Sequence, residues 1–294
     1  MAHYIDLSAA TIHWKDYGGS GPLLVLVHGL GGSLANWDAI GPRLVDVGRV
    51  VALDLPGFGL SPPAKDWSLE THRHAIAGFI EAMGGRAVVI GNSLGGLLSE
   101  MVASQYPDLV EALVLISPAT PPRLPDPHIH WPMARRLLIG ATPGIGPMIN
   151  RQIVSSMTSR ELVNDLLYRI THKPGRVPLE MVESFVAVAE ARSRLPWAAD
   201  AVPRTGQSIR RHLVRRRRFI EMIRAIKAPT LVVTGMADPV VSPSSVAWLC
   251  SLRLDWKLVL MEDTGHTPQI DSPVRFVSVV EPWLRAQLEE EMTA

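Results

Sequence analysis

The sequence is poor in cysteine and has almost no imbalance of charge. With a single cysteine, Cys250, an intrachain disulfide is impossible, and its surroundings predict a buried thiol on a helix. A formal net charge of +1 gives no global field that would attract nucleic acid. No apolar run approaches the length that spans a bilayer, and the N-terminus has no signal-peptide pattern. We therefore expect a cytoplasmic protein with no nucleic-acid partner and no stable membrane insertion.

Strand-like runs alternate with helical patterns over most of the 294 residues. This alternation predicts an α/β protein with a mostly parallel eight-stranded sheet that helices flank on both faces. A hairpin at 3–7 and 11–17 is followed by predicted strands at 23–27, 50–53, 86–90, 112–116, 229–235 and 256–261. Helices are predicted at 37–45, 68–83, 94–106 and 273–290.

The pattern changes between the sixth and seventh predicted strands. A proline-rich stretch that includes Pro127 leads into a block with no convincing strand. Helices are predicted there at 131–140, 159–171, 179–191 and 207–226. We call residues 119–227 the cap segment, because an insertion at this point leaves from the sheet edge where ligands bind in such folds. Residues 1–118 and 228–294 are then the two parts of the core domain.

The motif Gly91-Asn92-Ser93-Leu94-Gly95 lies between a predicted strand and a predicted helix. In this context G-x-S-x-G indicates a nucleophile elbow, in which glycines permit a tight turn that exposes the serine hydroxyl. A glycine-rich turn without chemistry is the alternative. The motif alone does not separate the two.

A serine nucleophile needs a base and a group that orients the base. His266 follows the last predicted strand, and Asp238 follows the strand before it, so both fall at the same sheet edge as Ser93. Asp263 is the alternative orienting group. Taken alone, His266 could be a structural histidine and Asp238 a turn or helix-capping residue before Pro239.

Acyl transfer also needs donors for the oxyanion that develops on the substrate. The backbone N–H of Leu94, at the start of the elbow helix, is one predicted donor. The second is the backbone N–H of Leu30, in the loop after the third strand, which we expect His28 to support.

Taken together, the motifs resemble those of α/β-hydrolases with a lid inserted after the sixth strand. The resemblance covers nearly the whole chain outside the cap segment, and the order Ser93, Asp238, His266 is the one expected for these enzymes. It rests on His28-Gly29, Asn36-Trp37, Asp54–Ser61, Gly91–Gly95, Asp238 and Gly265-His266.

Individual motif residues also distinguish between subfamilies of these enzymes. Epoxide hydrolases and haloalkane dehalogenases carry aspartate at the elbow, so Ser93 argues against both. Carbon–carbon bond hydrolases of aromatic-ring degradation share Gly-Asn-Ser at the elbow. They usually have a Gly-Pro-Gly oxyanion loop and a tryptophan after the catalytic histidine, where this chain has Gly31-Gly32-Ser33 and Thr267. Esterases similar to cofactor-free haloperoxidases fit equally well.

The resemblance implies a serine hydrolase that cleaves a carboxylic ester of a small to medium apolar substrate, without a cofactor. The alternatives are a C–C bond hydrolase of a vinylogous diketone and a small-molecule receptor of the same fold that hydrolyses slowly. Four apolar residues of the cap segment are candidates for the pocket wall: Trp131, Met133, Met148 and Trp197. The alternative for each is that its side chain only packs the cap against the sheet.

Two further patterns carry weaker hypotheses. His128 and His130 lie two residues apart, but no third metal ligand is evident, so no metal site is predicted. The run Arg215–Arg218, with Arg210 and Arg211 before it, is interpreted as a solvated helix face, with recognition of an anionic substrate or surface as the alternative. The sequence does not determine the oligomeric state.

Overall fold

The sheet contains eight strands in the computed structural model, which describes residues 2–126 and 128–293; Pro127 lies outside the described residues. The strands are β1 (Ala2–Asp6), β2 (Thr11–Gly18), β3 (Leu23–Val27), β4 (Arg49–Leu53), β5 (Ala87–Asn92), β6 (Val110–Ile116), β7 (Thr230–Gly235) and β8 (Lys257–Met261). Their spatial order is β1-β2-β4-β3-β5-β6-β7-β8. β2 runs antiparallel to both neighbours and the other pairings are parallel. The predicted α/β class and the mostly parallel sheet are confirmed.

Helices cover both faces of this sheet. Within the described residues they are α1 (Leu69–Met83), α2 (Leu94–Gln105), α3 (Trp131–Gly140), α4 (Ile145–Ser156), α5 (Ser159–Ile170), α6 (Leu179–Ser193), α7 (Ala198–Leu213), α8 (Arg216–Ala225), α9 (Pro243–Ser251), α10 (Pro268–Asp271) and α11 (Pro273–Thr293). Helices α3 to α8 all lie between β6 and β7, where the cap segment is predicted. No helix in the described part of the chain is both long enough and apolar enough to cross a membrane.

Strand β3 shows why the central strands lack polar residues. All five of its side chains are buried, and they alternate between the two hydrophobic clusters on opposite faces of the sheet. Val25 and Val27 belong to one cluster, and Leu24 and Leu26 to the other. Burying a side chain of this kind stabilises the fold by about 1.5–3 kcal/mol. A continuous apolar run is therefore what a strand covered on both faces requires.

The helix predicted at 37–45 is wrong. The structure has two short 3₁₀ turns there, Leu34–Trp37 and Gly41–Arg43. Gly41 and Pro42 both oppose a continuous α-helix, since glycine is entropically costly and proline lacks an N–H. A Cβ on Gly41 would lie 2.8 Å from the Tyr17 ring, so the glycine also permits close packing against β2.

Two predictions within the cap segment need correction. Helix α4 was not predicted, because glycine and proline at Gly144 and Pro147 obscure its pattern. The single helix predicted at 207–226 is two helices, α7 and α8, which meet at Val214 and Arg215.

Helix α7 also begins earlier than predicted and contains Pro203. A proline has no N–H to donate to the carbonyl four residues before it, here that of Ala199. Asn150 of α4 supplies the missing donor, with its Nδ2 2.6 Å from the Ala199 oxygen. The proline is therefore tolerated inside the helix because a neighbouring helix satisfies the free carbonyl.

Candidate active site

Ser93 lies in a strained turn between β5 and α2. Its φ of 55° and ψ of −112° place it in a backbone region that non-glycine residues rarely adopt. A Cβ on Gly91 would lie 2.4 Å from the Gly95 oxygen, and a Cβ on Gly95 would lie 2.1 Å from the Val27 oxygen. Both flanking glycines are thus sterically required, as the elbow interpretation predicts.

His266 and Asp238 meet at the end of the neighbouring strands. His266 Nδ1 is 2.8 Å from Asp238 Oδ2, and both side chains are buried. The other carboxylate oxygen accepts hydrogen bonds from the backbone N–H groups of Val240 (2.7 Å) and Val241 (3.0 Å). A carboxylate fixed in this way holds the proton of the imidazole on Nδ1, so that Nε2 is left as the basic nitrogen.

Asp263, the alternative orienting group, points to a different set of partners. Its carboxylate contacts Lys173 (2.6 Å), Arg176 (2.9 Å) and His172 (3.1 Å) of the cap segment. Hydrogen bonds from Lys173 and Arg176 lower the pKa of Asp263 to about 2. The structure therefore pairs His266 with Asp238 and leaves Asp263 in a surface ion-pair cluster.

Asn92 connects the elbow to the loop that carries His266. Its buried Nδ2 donates to the backbone oxygens of Ile116 (3.1 Å) and His266 (3.2 Å). In the described residues the Ser93 hydroxyl makes no direct hydrogen bond to the His266 ring. The Asn92 side chain thus joins the two loops, a role that the elbow motif alone does not reveal.

The loop after β3 lies directly against Ser93. A Cβ on Gly29 would lie 3.2 Å from the Ser93 Cβ. Gly32 N–H donates to the Gly29 oxygen (3.0 Å), which closes a turn around Leu30. Among the described residues, no acceptor is paired with the backbone N–H of Leu30 or Leu94. Both predicted donors are therefore free to bind an oxyanion, and their assignment stays a prediction.

The His28 side chain stabilises this loop through two hydrogen bonds to the backbone. Its Nδ1 donates to the Gly29 oxygen (2.7 Å), and its Nε2 accepts from the Leu55 N–H (3.0 Å). An imidazole that donates at one nitrogen and accepts at the other must be neutral. Complete burial lowers the pKa of His28 to about 4, which agrees with this arrangement.

Asp54 organises the adjacent loop, a role that the motif Asp54–Ser61 alone does not reveal. Its buried carboxylate contacts His13 Nδ1 (2.6 Å) and accepts from the backbone N–H groups of Leu34 (2.7 Å) and Leu60 (2.8 Å). Gly59, with φ of 50°, leaves room for it, because a Cβ there would lie 1.9 Å from the carboxyl carbon. Asp54 therefore joins β2 to two loops that flank the site.

Arg192 of α6 fastens the cap segment to the same loop. Its Nη1 donates to the backbone oxygens of Gly59 (2.8 Å) and Gly57 (3.2 Å), and its guanidinium lies 5.9 Å from the centre of the Phe58 ring. Burial lowers the pKa of Arg192, with an opposing contribution from Asp54.

A second set of hydrogen bonds, which we call the seam, joins the cap segment to the loop that carries His266. The His266 N–H donates to the Ile170 oxygen (2.8 Å) at the end of α5. One oxygen of the buried Asp271 accepts from the N–H groups of Gly265 (2.6 Å) and His172 (2.7 Å), and so bridges core and cap. The cap segment thus contacts two loops of the candidate site, the one that carries His266 and the one that Asp54 organises.

The four candidate pocket residues fall into two groups. Met133 is buried, and Trp197 is half-buried with an indole N–H that has no partner among the described residues. Trp131 is 67% exposed and Met148 is 63% exposed. A residue of the pocket wall must face the pocket and not bulk solvent. Met133 and Trp197 therefore fit this role better than the exposed Trp131 and Met148. The pocket assignment stays a prediction for all four.

The arginine run is mainly exposed, as the solvated-face interpretation predicts. Arg216 is exposed like its neighbours and also makes two contacts, since its guanidinium lies 4.0 Å from the centre of the Trp248 ring and donates to the Pro122 oxygen. Among the described residues, no group of three or more His, Cys, Asp or Glu side chains is arranged to bind a metal ion.

Comparison with known proteins decides the family. Residues 24–279 match the alpha/beta hydrolase family. The chain belongs to this family. Lipase 1 of Psychrobacter immobilis is 26% identical over 258 residues, which is 86% of this chain and 74% of the lipase. The 2-hydroxymuconate semialdehyde hydrolase of Pseudomonas sp. (strain CF600) is 28% identical over 278 residues, 90% of this chain and 88% of the relative.

The alpha/beta hydrolase fold is also found in a solved structure that is similar over almost the full length. A putative lipase from Acinetobacter baumannii AYE superposes with a TM-score of 0.75 and 22% identity, covering 99% of this chain and 92% of the other. The predicted fold family is therefore confirmed. The relatives are hydrolases with different substrates, so membership gives the general class of reaction and leaves the substrate open.

Proposed function

We propose that this chain is a serine hydrolase that cleaves a carboxylic ester of a small to medium apolar substrate through an acyl-enzyme. The observation that carries the proposal is the buried pair of His266 and Asp238, 2.8 Å apart, next to an elbow with a strained serine. A serine in a strained turn, close to a base that a carboxylate orients, is the arrangement that nucleophilic catalysis needs.

Each group then has one role in the reaction. His266 Nε2 takes the proton of Ser93 as its oxygen attacks the ester carbonyl, and the N–H groups of Leu30 and Leu94 hold the oxyanion. His266 next protonates the leaving alcohol, and a water molecule repeats the sequence to release the acid. General-base catalysis contributes about 10²–10⁴-fold, and each oxyanion donor contributes about 10²–10³-fold.

The cap segment is the proposed source of substrate preference. Met133 and Trp197 are the better-supported wall candidates, because Met133 is buried and Trp197 is half-buried. An apolar wall with few polar groups favours an apolar acyl chain or alcohol.

Labelling with a fluorophosphonate probe tests the nucleophile. The wild-type chain should be labelled on Ser93. Ser93→Ala should lose the label and nearly all p-nitrophenyl ester turnover while keeping its fold. Ser155→Ala, which removes an exposed serine on α4, is the matched control and should behave as wild type. Unchanged turnover in Ser93→Ala would make the proposal wrong.

A second candidate is a C–C bond hydrolase that acts on a vinylogous diketone. Similarity to the 2-hydroxymuconate semialdehyde hydrolase favours it, and Asn92 before the serine is compatible with it. Gly31-Gly32-Ser33 and Thr267 depart from the pattern of such enzymes. A panel that contains esters, thioesters, amides and a vinylogous diketone separates the two, since the preferred class should have a far larger kcat/KM.

A receptor that hydrolyses slowly is the third possibility, and pre-steady-state kinetics distinguishes it. Many turnovers on short esters support an enzyme. One stoichiometric burst followed by a long-lived adduct supports a receptor.

A further inference from the structure

Charge is distributed unequally between the cap segment and the core. The cap segment contains 19 Lys and Arg against 8 Asp and Glu, and the remainder of the chain contains 10 against 20. The formal charges are therefore +11 and −10, which nearly cancel in the net charge of +1. Such asymmetry is a physical signal of an interaction with an anionic partner, and the overall net charge conceals it.

The outer helices of the cap segment also expose large apolar side chains. Six of the exposed apolar side chains fall between residues 131 and 148: Trp131 (67%), Leu137 (43%), Leu138 (59%), Ile139 (41%), Ile145 (49%) and Met148 (63%). Helices α3 and α4 are in tight contact where they meet, since a Cβ on Gly146 would lie 2.0 Å from the Gly140 oxygen. The exposed apolar side chains therefore surround the junction of two adjacent helices, and we call this surface the α3–α4 face.

Arginines lie within the same face. Trp131, Arg135 and Leu138 follow one another at helical spacing, so they are neighbours along one side of α3. Arg135 is exposed and has no carboxylate partner among the described residues, and Arg136 is 3.8 Å from Asp165 at its nearest. A helix face that mixes tryptophan, aliphatic side chains and arginines has the composition of a helix that lies at a lipid–water interface.

The observations favour a membrane surface over a second copy of the chain. A two-fold dimer through the α3–α4 face would bring the same arginines of both copies together, within a segment of charge +11. An anionic bilayer satisfies both features, because apolar side chains enter the headgroup region while arginines remain near the phosphates.

We propose that the α3–α4 face docks reversibly on the surface of an anionic phospholipid bilayer, with Trp131, Leu138 and Met148 entering the headgroup region and Arg135 and Arg136 contacting lipid phosphates. This docking is peripheral. It orients the cap segment toward the lipid, on the side of the sheet where the candidate active site lies. The inference concerns binding and does not depend on the esterase activity proposed above.

Co-sedimentation of the full chain with vesicles tests the proposal. Wild type should bind vesicles of phosphatidylcholine with 30% phosphatidylglycerol about tenfold or more tightly than vesicles of phosphatidylcholine alone, and salt should weaken the binding. Leu138→Asp should reduce binding about tenfold or more, because it places a charge where an apolar side chain is proposed to enter. The double variant Arg135→Gln/Arg136→Gln should bind more weakly and with a smaller dependence on salt.

Two controls keep folding and catalysis separate from binding. Leu254→Asp changes a residue that is 96% exposed on the core domain, outside the proposed face, and should bind as wild type. Ser93→Ala should also bind as wild type, even if the proposed hydrolase activity proves wrong. Thermal unfolding of each variant shows that the fold is retained.

Three results would overturn the proposal. The first is no preference of the wild-type chain for anionic vesicles at low salt. The second is equal binding by wild type and Leu138→Asp. The third is a dimer, seen by sedimentation velocity, that Leu138→Asp dissociates while vesicles are not bound, since this would assign the face to a second copy.

Discussion

Replacement of His28 should change how the stability of the protein depends on pH. His28 is fully buried, and desolvation lowers its pKa from 6.5 to about 4. The charge of Asp54 and the hydrogen bond to Gly29 raise the pKa, and the charges of Arg192 and His72 lower it further. The folded state thus resists a proton that the unfolded state accepts.

The sign and the size of the effect follow from this difference. Above pH 6.5 His28 is neutral in both states and the full stability is present. As the pH falls, the unfolded state binds a proton first, so stability is lost from pH 6.5 down to about 4. The shift corresponds to about 3 kcal/mol in total, of which about 2 kcal/mol should be lost between pH 7 and pH 5.

Urea unfolding of wild type and His28→Gln, followed by tryptophan fluorescence at pH 7 and pH 5, measures this contribution. The variant should be less stable than wild type at pH 7, because it disturbs the hydrogen bonds to Gly29 and Leu55. Its disadvantage should shrink by about 2 kcal/mol at pH 5. His3→Gln, on the exposed first strand, serves as the control and should follow wild type. The same disadvantage at both pH values would refute the reasoning.

Three other substitutions test the site and its surroundings. Asp238→Asn should lower kcat about 10⁴-fold without unfolding the protein, because His266 loses the partner that fixes its tautomer; steady-state kinetics with a circular dichroism control checks this. Asn92→Ala should lower kcat about tenfold or more while fluorophosphonate still labels Ser93 slowly, because the elbow no longer holds the histidine loop; a wild-type labelling rate would contradict it. Glu100→Gln should stabilise the protein more at pH 8 than at pH 5, as measured by urea unfolding. Burial raises the pKa of Glu100 well above 4.5, and both of its carboxyl oxygens lack hydrogen-bond partners in the described residues. The folded state must therefore keep a proton that the unfolded state loses as the pH rises. An equal gain in stability at both pH values would contradict this reasoning.

The sheet and the elbow could be predicted because their causes are local. Strand β3 needs only apolar side chains, and the Ser93 turn needs glycine two residues before and after it. His266 and Asp238 could be placed together because parallel strands bring their carboxyl ends to one edge.

The supporting residues could not be predicted in the same way, because their partners are distant in sequence. Asp54 contacts His13, 41 positions away, and Asn92 contacts His266, 174 positions away. Neither contact leaves a periodic signal. Helix α4 escaped prediction for a related reason, since the need for Gly146 is visible only when α3 is in place beside it.

The seam between Ile170 and His266 limits how this enzyme scaffold could be re-engineered. A chimera that replaced the whole cap segment could misplace the backbone carbonyl that receives the His266 N–H and the backbone N–H that binds Asp271. His266 would then lose its present position even though every residue of the core was retained. A graft confined to α3 and α4 leaves that seam intact. Diversification of substrate range is therefore structurally easiest in the outer helices, with 170–173 kept as a fixed joint.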